Sequence, residues 1–404
     1  MRGIAAAAAL VGGLGGLGGC LKSPGYTYCP ETGAECPASL LCLPAPIYCG
    51  TSDQQQQLLQ CDDKPDLTLC STDAIPSGVC LSQSCTACTP DYGTCPVSGW
   101  QPMSQMIGTT PSTIWVTSAT DAYMAGNGPT IAHYDGLSWT QDATYAAMFP
   151  SALPLRLWVS PDGALYVIDN SGSANTLERY ANGSWSTVSP GGIGLDAIWG
   201  TSANDIIVGG FRELLRYNGS TWTSVGPLSM DLSATAEFTA VWYSGDQIVA
   251  VGGGGLFWQY DGATWTDVGT PLPVPYNTAS WSAVWGTSPS DVFAVSASNG
   301  SPLSTIAVHY NETTGWTPLS TPNGLTLDLV AVTGVGPSDA YVVGNSKGGT
   351  ATGVILHCDA QACTSVDELD SVKLAGVSSA ASATDTMAVA QAAAAAEVFR
   401  STDM

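Results

Sequence analysis

Thirteen cysteines and three histidines are the side chains in this sequence best suited to chemistry, and their spacing limits what that chemistry can be. Ten of the cysteines crowd the stretch from Cys29 to Cys95, among them a C-x-x-C, Cys85-Thr86-Ala87-Cys88. That motif has the form of a redox pair or half a zinc site. Zinc needs a second pair at matching spacing, whereas the spacings here are irregular and the stretch lacks histidine, so structural disulfides are the expectation. Their connectivity stays open. His133, His309 and His357 stand at one recurring register, before Tyr134, Tyr310 and Cys358; Arg179, Arg216 and Gln259 take that register elsewhere. Equivalent positions of a ring of repeats are spread around its circumference, so these are read as strand or rim residues. Gly344-Asn345-Ser346-Lys347-Gly348 matches G-x-S-x-G, but a Gly/Thr-rich loop follows it instead of a helix. The match of residues 13–18 to G-x-G-x-x-G lacks a surrounding strand–turn–helix unit. No cofactor and no metal is expected.

Composition narrows the partners. Only 11% of the 404 residues are charged, and 10 Lys+Arg face 33 Asp+Glu. A sparse, acidic charge set is unsuited to phosphate backbones, which need clustered cations, and to anionic lipid surfaces. Nucleic acid is therefore excluded as a partner. Hydrophobic residues make up 45%, ample for a core.

Residues 1–19 read as a signal peptide: Met1-Arg2 is a short basic start, and Ile4 to Leu17 is an apolar run too short to span a bilayer. Leu17-Gly18-Gly19-Cys20 resembles the bacterial lipobox, in which the cysteine receives the lipid. Setting Cys20 aside leaves an even number of cysteines, as a fully paired exported protein requires. The resemblance implies export and a lipid anchor on Cys20, at the outer membrane or cell surface. Residues 20–98 then form a disulfide-rich module whose texture resembles the stalks of myxobacterial surface lipoproteins.

The elements that carry the rest are repeats. An apolar strand ending in Trp, a Ser/Asp turn, a second apolar strand and a Tyr-Asp/Asn-Gly…Trp hairpin recur from residue 110 onward. The first-strand tryptophans are Trp115, Trp158, Trp199, Trp242 and Trp285, with Thr333 and roughly Ser378 in two further copies. Runs such as Ile206-Ile207-Val208 suit strands buried on both faces. Tyr134-Asp135-Gly136-Leu137-Ser138-Trp139 is a hairpin signal, and 217–222 and 260–265 repeat it. Seven units of four short strands give a seven-bladed β-propeller over residues 99–404. The last copy runs out before its fourth strand, and Gly99-Trp100-Gln101-Pro102 matches Gly315-Trp316-Thr317-Pro318, so the N-terminal segment is expected to close blade seven. An Ala-rich helix over 388–399 is the competing possibility on propensity alone. Cys358 and Cys363 have the spacing of the Tyr/Trp hairpin pairs and are expected to form a cross-strand disulfide in blade six.

The Trp-Gly-Thr-Ser phrases at 199–202 and 285–288, each followed by an apolar second strand, resemble the repeats of exported bacterial propellers. The Tyr-Asp-Gly-x-Ser/Thr-Trp turn is similar to the Asp-box of sialidase-like propellers, without the residue between Asp and Gly. Sialidase chemistry would need a convergent arginine trio. The propeller holds only Arg156, Arg179, Arg212, Arg216 and Arg400, two of them in the histidine register.

Binding is the leading expectation. The loops between strands two and three, and between blades, are long and dissimilar (140–154, 224–237, 268–280, 296–304, 345–353), while those on the opposite face are short. The variable face is expected to expose Tyr145, Phe149, Asp231, Tyr276 and Asn299, with Phe211 and Arg212 on a tighter turn. Aromatic rings amid Asn and Asp suit a glycan or a protein ligand. A glycan hydrolase or lyase using acids at the channel, and a structural subunit of an envelope assembly, are the alternatives.

Overall fold

A computed structural model of the protein describes residues 100–401 apart from 104–107, 172–174, 192–193, 227–231, 233–235, 298–305, 323–325, 337–338, 348–351, 381–385 and 393–394; within 26–87 it describes the backbone of short strands. The chain divides into two compact units, Met1–Ser98 and Gly99–Met404. In the first, Tyr26–Cys29 pairs with Ala34–Pro37, Leu41–Cys42 with Cys49–Gly50, and Leu69–Cys70, Gly78–Leu81 and Ser84–Ala87 form a three-stranded antiparallel sheet. Cys20 lies outside the described residues.

The second unit is a seven-bladed β-propeller of four-stranded antiparallel blades. Blade one comprises Pro111–Ser118, Asp121–Gly126, Thr130–Tyr134 and Trp139–Gln141. Blades two to six begin at Pro154–Val159, Leu195–Ser202, Phe238–Ser244, Ser280–Ser288 and Leu327–Gly336. These first strands neighbour one another around a closed ring and form its inner wall. Blade seven orders Val372–Ser379, Thr386–Ala392, Ala395–Ser401 and then Trp100–Pro102, with Ser401 opposite Trp100. The N-terminal strand thus closes the ring, and the 388–399 stretch is strand. Its alanines fill the thin space between blades: Ala388, Ala390 and Ala396 are fully buried, so packing overrides their helix propensity.

The recurring Trp-Gly phrase is explained by the blade interfaces. Three of the five first-strand tryptophans, Trp158, Trp242 and Trp285, lie over a Gly of the next blade that makes room for the ring. A Cβ on Gly200 would meet Trp158 at 2.8 Å, and one on Gly334 would meet Trp285 at 2.2 Å. Trp199 Nε1 donates to Tyr243 O (3.0 Å) and Trp242 Nε1 to Gly286 O (2.9 Å). Where Trp is lost, hydroxyls make the link: Thr333 Oγ1 accepts from Ser379 N, and Ser378 Oγ accepts from Val116 N.

The outer edge is held by the hairpins. Tyr134/Trp139, Tyr217/Trp222 and Tyr260/Trp265 are register partners with ring centroids 5.0–5.3 Å apart. The turn needs Gly at a left-handed position (Gly136, φ 92), and Asp135 accepts from Leu137 N and Ser138 N. Those two backbone bonds hold the Asp135 carboxyl below its usual range. In blade six the aromatic pair is replaced by the Cys358–Cys363 disulfide, as its spacing implies.

Candidate functional site

On the face of short turns, the histidines are absorbed locally. His133 Nε2 meets Asp121 Oδ1 at 2.6 Å, His309 meets Asp291 at 2.7 Å, and His357 meets Asp339. Arg216 Nε donates to Asp205 in the same way (2.7 Å). Three of these acids also accept a first-strand hydroxyl, from Thr117, Thr201 and Thr287. Tyr123, Phe293 and Tyr341 pack against the three imidazoles. In blades one, three and five the group ties strands one, two and three of its own blade together; in blade six it ties strands two and three. Nothing in this arrangement converges on a ligand.

The variable face departs in part from expectation. Tyr145 is not an exposed loop residue. Residues 143–148 form a helix, α1 (Ala143–Met148), capped by Asp142, which accepts from Thr144 N and Tyr145 N. The Tyr145 ring points inward at 0% exposure, packed on Trp185 and Phe149. Trp185 Nε1 donates to Asp142 Oδ2 (2.9 Å), which fixes the helix on blade two. Although burial works against it, hydrogen bonds from Thr144, Trp185 and Tyr145 hold the Asp142 carboxyl low. Phe149 is half-buried against this cluster, and Tyr276, in a 3₁₀ turn, is half-buried beside Leu272 and Trp281. Both rings serve partly as caps. Asp231 and Asn299 lie outside the described residues.

Phe211 and Arg212 do project from this face. Phe211 is 52% exposed and Arg212 is exposed, yet their backbone is pinned on both sides. Phe211 N donates to Gly194 O (3.1 Å), Arg212 N donates to Ala236 O (3.0 Å), and Phe211 forms a β-bridge with Glu237. Arg212 holds a left-handed φ of 59°, an uncommon conformation for a side chain of this size.

The same turn stands beside a pair of acids that the sequence reading overlooked. Asp196 lies at the start of the first strand of blade three, and Glu237 just before that of blade four acts on it through a side-chain hydrogen bond and its charge. Burial, then the hydrogen bond and charge of Glu237, push the Asp196 carboxyl up to about 6, while Arg156 opposes the shift. Desolvation lowers the Arg156 guanidinium from its ordinary value, against the pull of Asp196. A sequence signal was available. Each first strand carries a bulged residue three places before the Trp position: Ser112, Leu155, Asp196, Thr239, Ser282, Val330 and Ala375. Ser112, Thr239 and Ser282 donate from there to a carbonyl of the next blade, at 2.7–2.8 Å. Asp196 is the only acid in the column, and it meets a second acid where the others meet a carbonyl.

Among the described residues, four large apolar side chains are exposed on this face: Met148 at the end of α1, and Leu153, Phe211 and Val274 on loops. Among the described residues, no group of His, Cys, Asp and Glu is arranged to hold a metal ion, and no helix is long and apolar enough to cross a membrane.

No family model matches the sequence, and no curated protein matches it. Solved structures do match in fold. YCF48 from Cyanidioschyzon merolae is similar at a TM-score of 0.56 and 12% identity, over 75% of this chain and 99% of that one. Virginiamycin B lyase from Staphylococcus aureus is similar at 0.56 and 12%, over 74% and 98%. YCF48 bound to D1 peptide is similar at 0.54 and 12%, over 76% and 98%. At such identities the likeness is one of fold, and it places this chain's second unit among the β-propellers.

Proposed function

We propose that this protein is an exported bacterial binding protein, lipid-anchored through Cys20 at the outer membrane or cell surface, whose variable propeller face takes a segment of another polypeptide. The observation that carries the reading is the exposed Phe211–Arg212 turn, pinned by its backbone beside the Asp196–Glu237 pair. An aromatic side chain that is half exposed while its backbone is fixed loses little entropy on binding, which is the property of an interface anchor.

The chemistry favours a polypeptide over a glycan. Sugar recognition leans on flat rings flanked by polar groups, and Tyr145 is turned inward while Phe149 and Tyr276 are partly covered. Among the described residues, the large apolar side chains exposed there are one ring, Phe211, and three aliphatic or thioether side chains, Leu153, Val274 and Met148. Two neighbouring carboxyls, one of them partly withdrawn from water, also favour an arriving cation. The ligand is a segment with a Lys or Arg next to an apolar residue. A propeller neighbour that holds a peptide, YCF48 with D1 peptide, is consistent with such use of the fold.

Selection of a random peptide display library on the immobilised full-length protein tests this, alongside a glycan array and an assay for product. Enriched peptides pairing Lys or Arg with Leu, Phe or Met support the reading. Binding confined to the glycan array, or turnover lost with Asp196→Asn, would refute it. The anchor is tested separately: a Cys20→Ser protein should lose lipid labelling and membrane association, and retention of both would overturn that part.

A further inference from the structure

The C-x-x-C of the first unit has an internal template in the second. In blade six, Cys358 and Cys363 are register partners one pair outside a two-residue turn, where Asp359 N donates to Ala362 O (2.9 Å), and they are disulfide-bonded with Cα atoms 4.0 Å apart. Gly78–Leu81 and Ser84–Ala87 repeat that layout. Leu81 is opposite Ser84 across the two residues Ser82-Gln83, and Cys80 is opposite Cys85 in the next pair outward. The pair flanking a two-residue hairpin turn is the hydrogen-bonded one, so the next pair is non-hydrogen-bonded, with Cα atoms about 4.5 Å apart. That lies within the window a disulfide accepts.

We propose that Cys80 and Cys85 form a cross-strand disulfide, and that Cys85-Thr86-Ala87-Cys88 is therefore neither a redox pair nor half a zinc site. Strand Ser84–Ala87 keeps the backbone extended through both intervening residues of the motif, at about 3.3 Å per residue. A bond from Cys85 to Cys88 needs those residues coiled into a turn, at the cost of the strand. Closing the Cys80–Cys85 bond breaks two S–H bonds and joins the two sulfurs; the two electrons and two protons pass to an incoming disulfide, whose own S–S bond breaks and which departs as a dithiol by thiol–disulfide exchange.

The full chain, produced with export to an oxidising compartment, is blocked with N-ethylmaleimide under denaturing, non-reducing conditions. Digestion with chymotrypsin, which cuts after Leu81, and electron-transfer dissociation then locate the bonds. The expected result is a peptide ending at Leu81 that stays joined to the one containing Cys85, with the bond assigned to Cys80–Cys85 and retained in a Cys88→Ser variant. Cys358–Cys363 in the same sample reports that oxidation occurred. A Cys85–Cys88 bond, a bond from Cys80 to another cysteine, or alkylated Cys80 and Cys85 beside an intact Cys358–Cys363 would each overturn the proposal.

Discussion

Replacing Asp196 by Asn removes one charge and no volume, and its effect on stability should reverse from absent to favourable with pH. The Asp196 carboxyl is raised from 3.8 to about 6, chiefly by burial and secondly by Glu237. The folded protein therefore holds more protons than the unfolded chain between those values, and the site's contribution to stability falls as pH rises through that window. A shift of this size corresponds to at most about 3 kcal/mol of differential proton binding. Asp196 is half-exposed, so solvent screening reduces the usable part to about 1 kcal/mol. Near pH 4 the wild-type side chain is protonated, and Asn mimics it; near pH 7.5 the wild type carries the penalty and Asn does not. Melting followed by tryptophan fluorescence should thus show equal Tm values at pH 4 and an Asn variant higher by about 2 °C at pH 7.5. A variant that melts lower at pH 7.5, or that gains equally at both pH values, would show that burial and Glu237 do not raise the Asp196 carboxyl.

Two further outcomes follow from the packing. Gly334→Ala should destabilise the ring by about 1–3 kcal/mol, because its Cβ would sit 2.2 Å from Trp285 and 2.7 Å from the backbone oxygen of Asp339; a denaturant midpoint unchanged from wild type would contradict the Trp-over-Gly account. His309→Ala should cost about 3 kcal/mol by removing the imidazole partner of the buried Asp291 carboxyl, whereas His133→Ala, at a pair about 40% exposed, should cost under about 1 kcal/mol. Equal losses in chemical denaturation would mean that burial does not set the worth of these pairs.

The fold was legible because its determinants are local and repeated. Trp-Gly spacing, the Asp-Gly hairpin and the Gly99–Pro102 match each encode a contact that recurs blade after blade, so one sequence contains several independent copies of the same signal. The histidine register was legible for the same reason. The face that departs from the repeat was read less well. Tyr145 looked like an exposed loop aromatic because nothing local announces that Asp142 caps a short helix and bonds Trp185 of the next blade. Asp196 and Glu237 were missed because they are 41 residues apart and meet only where a bulge breaks the strand's alternation. The exposure of Phe211 and Arg212 was legible because a two-residue turn leaves large side chains nowhere to fold back.

The account rests most directly on which face binds. Leu137, 90% exposed at a hairpin tip of the opposite face, is the natural competitor of Phe211. Fluorescence anisotropy with one library-selected peptide should give a Kd at least tenfold weaker for Phe211→Ser and for Glu237→Gln, and an unchanged Kd for Leu137→Ser. Loss of binding with Leu137→Ser alone, and none with Phe211→Ser, would place the ligand on the short-turn face and contradict the proposed function.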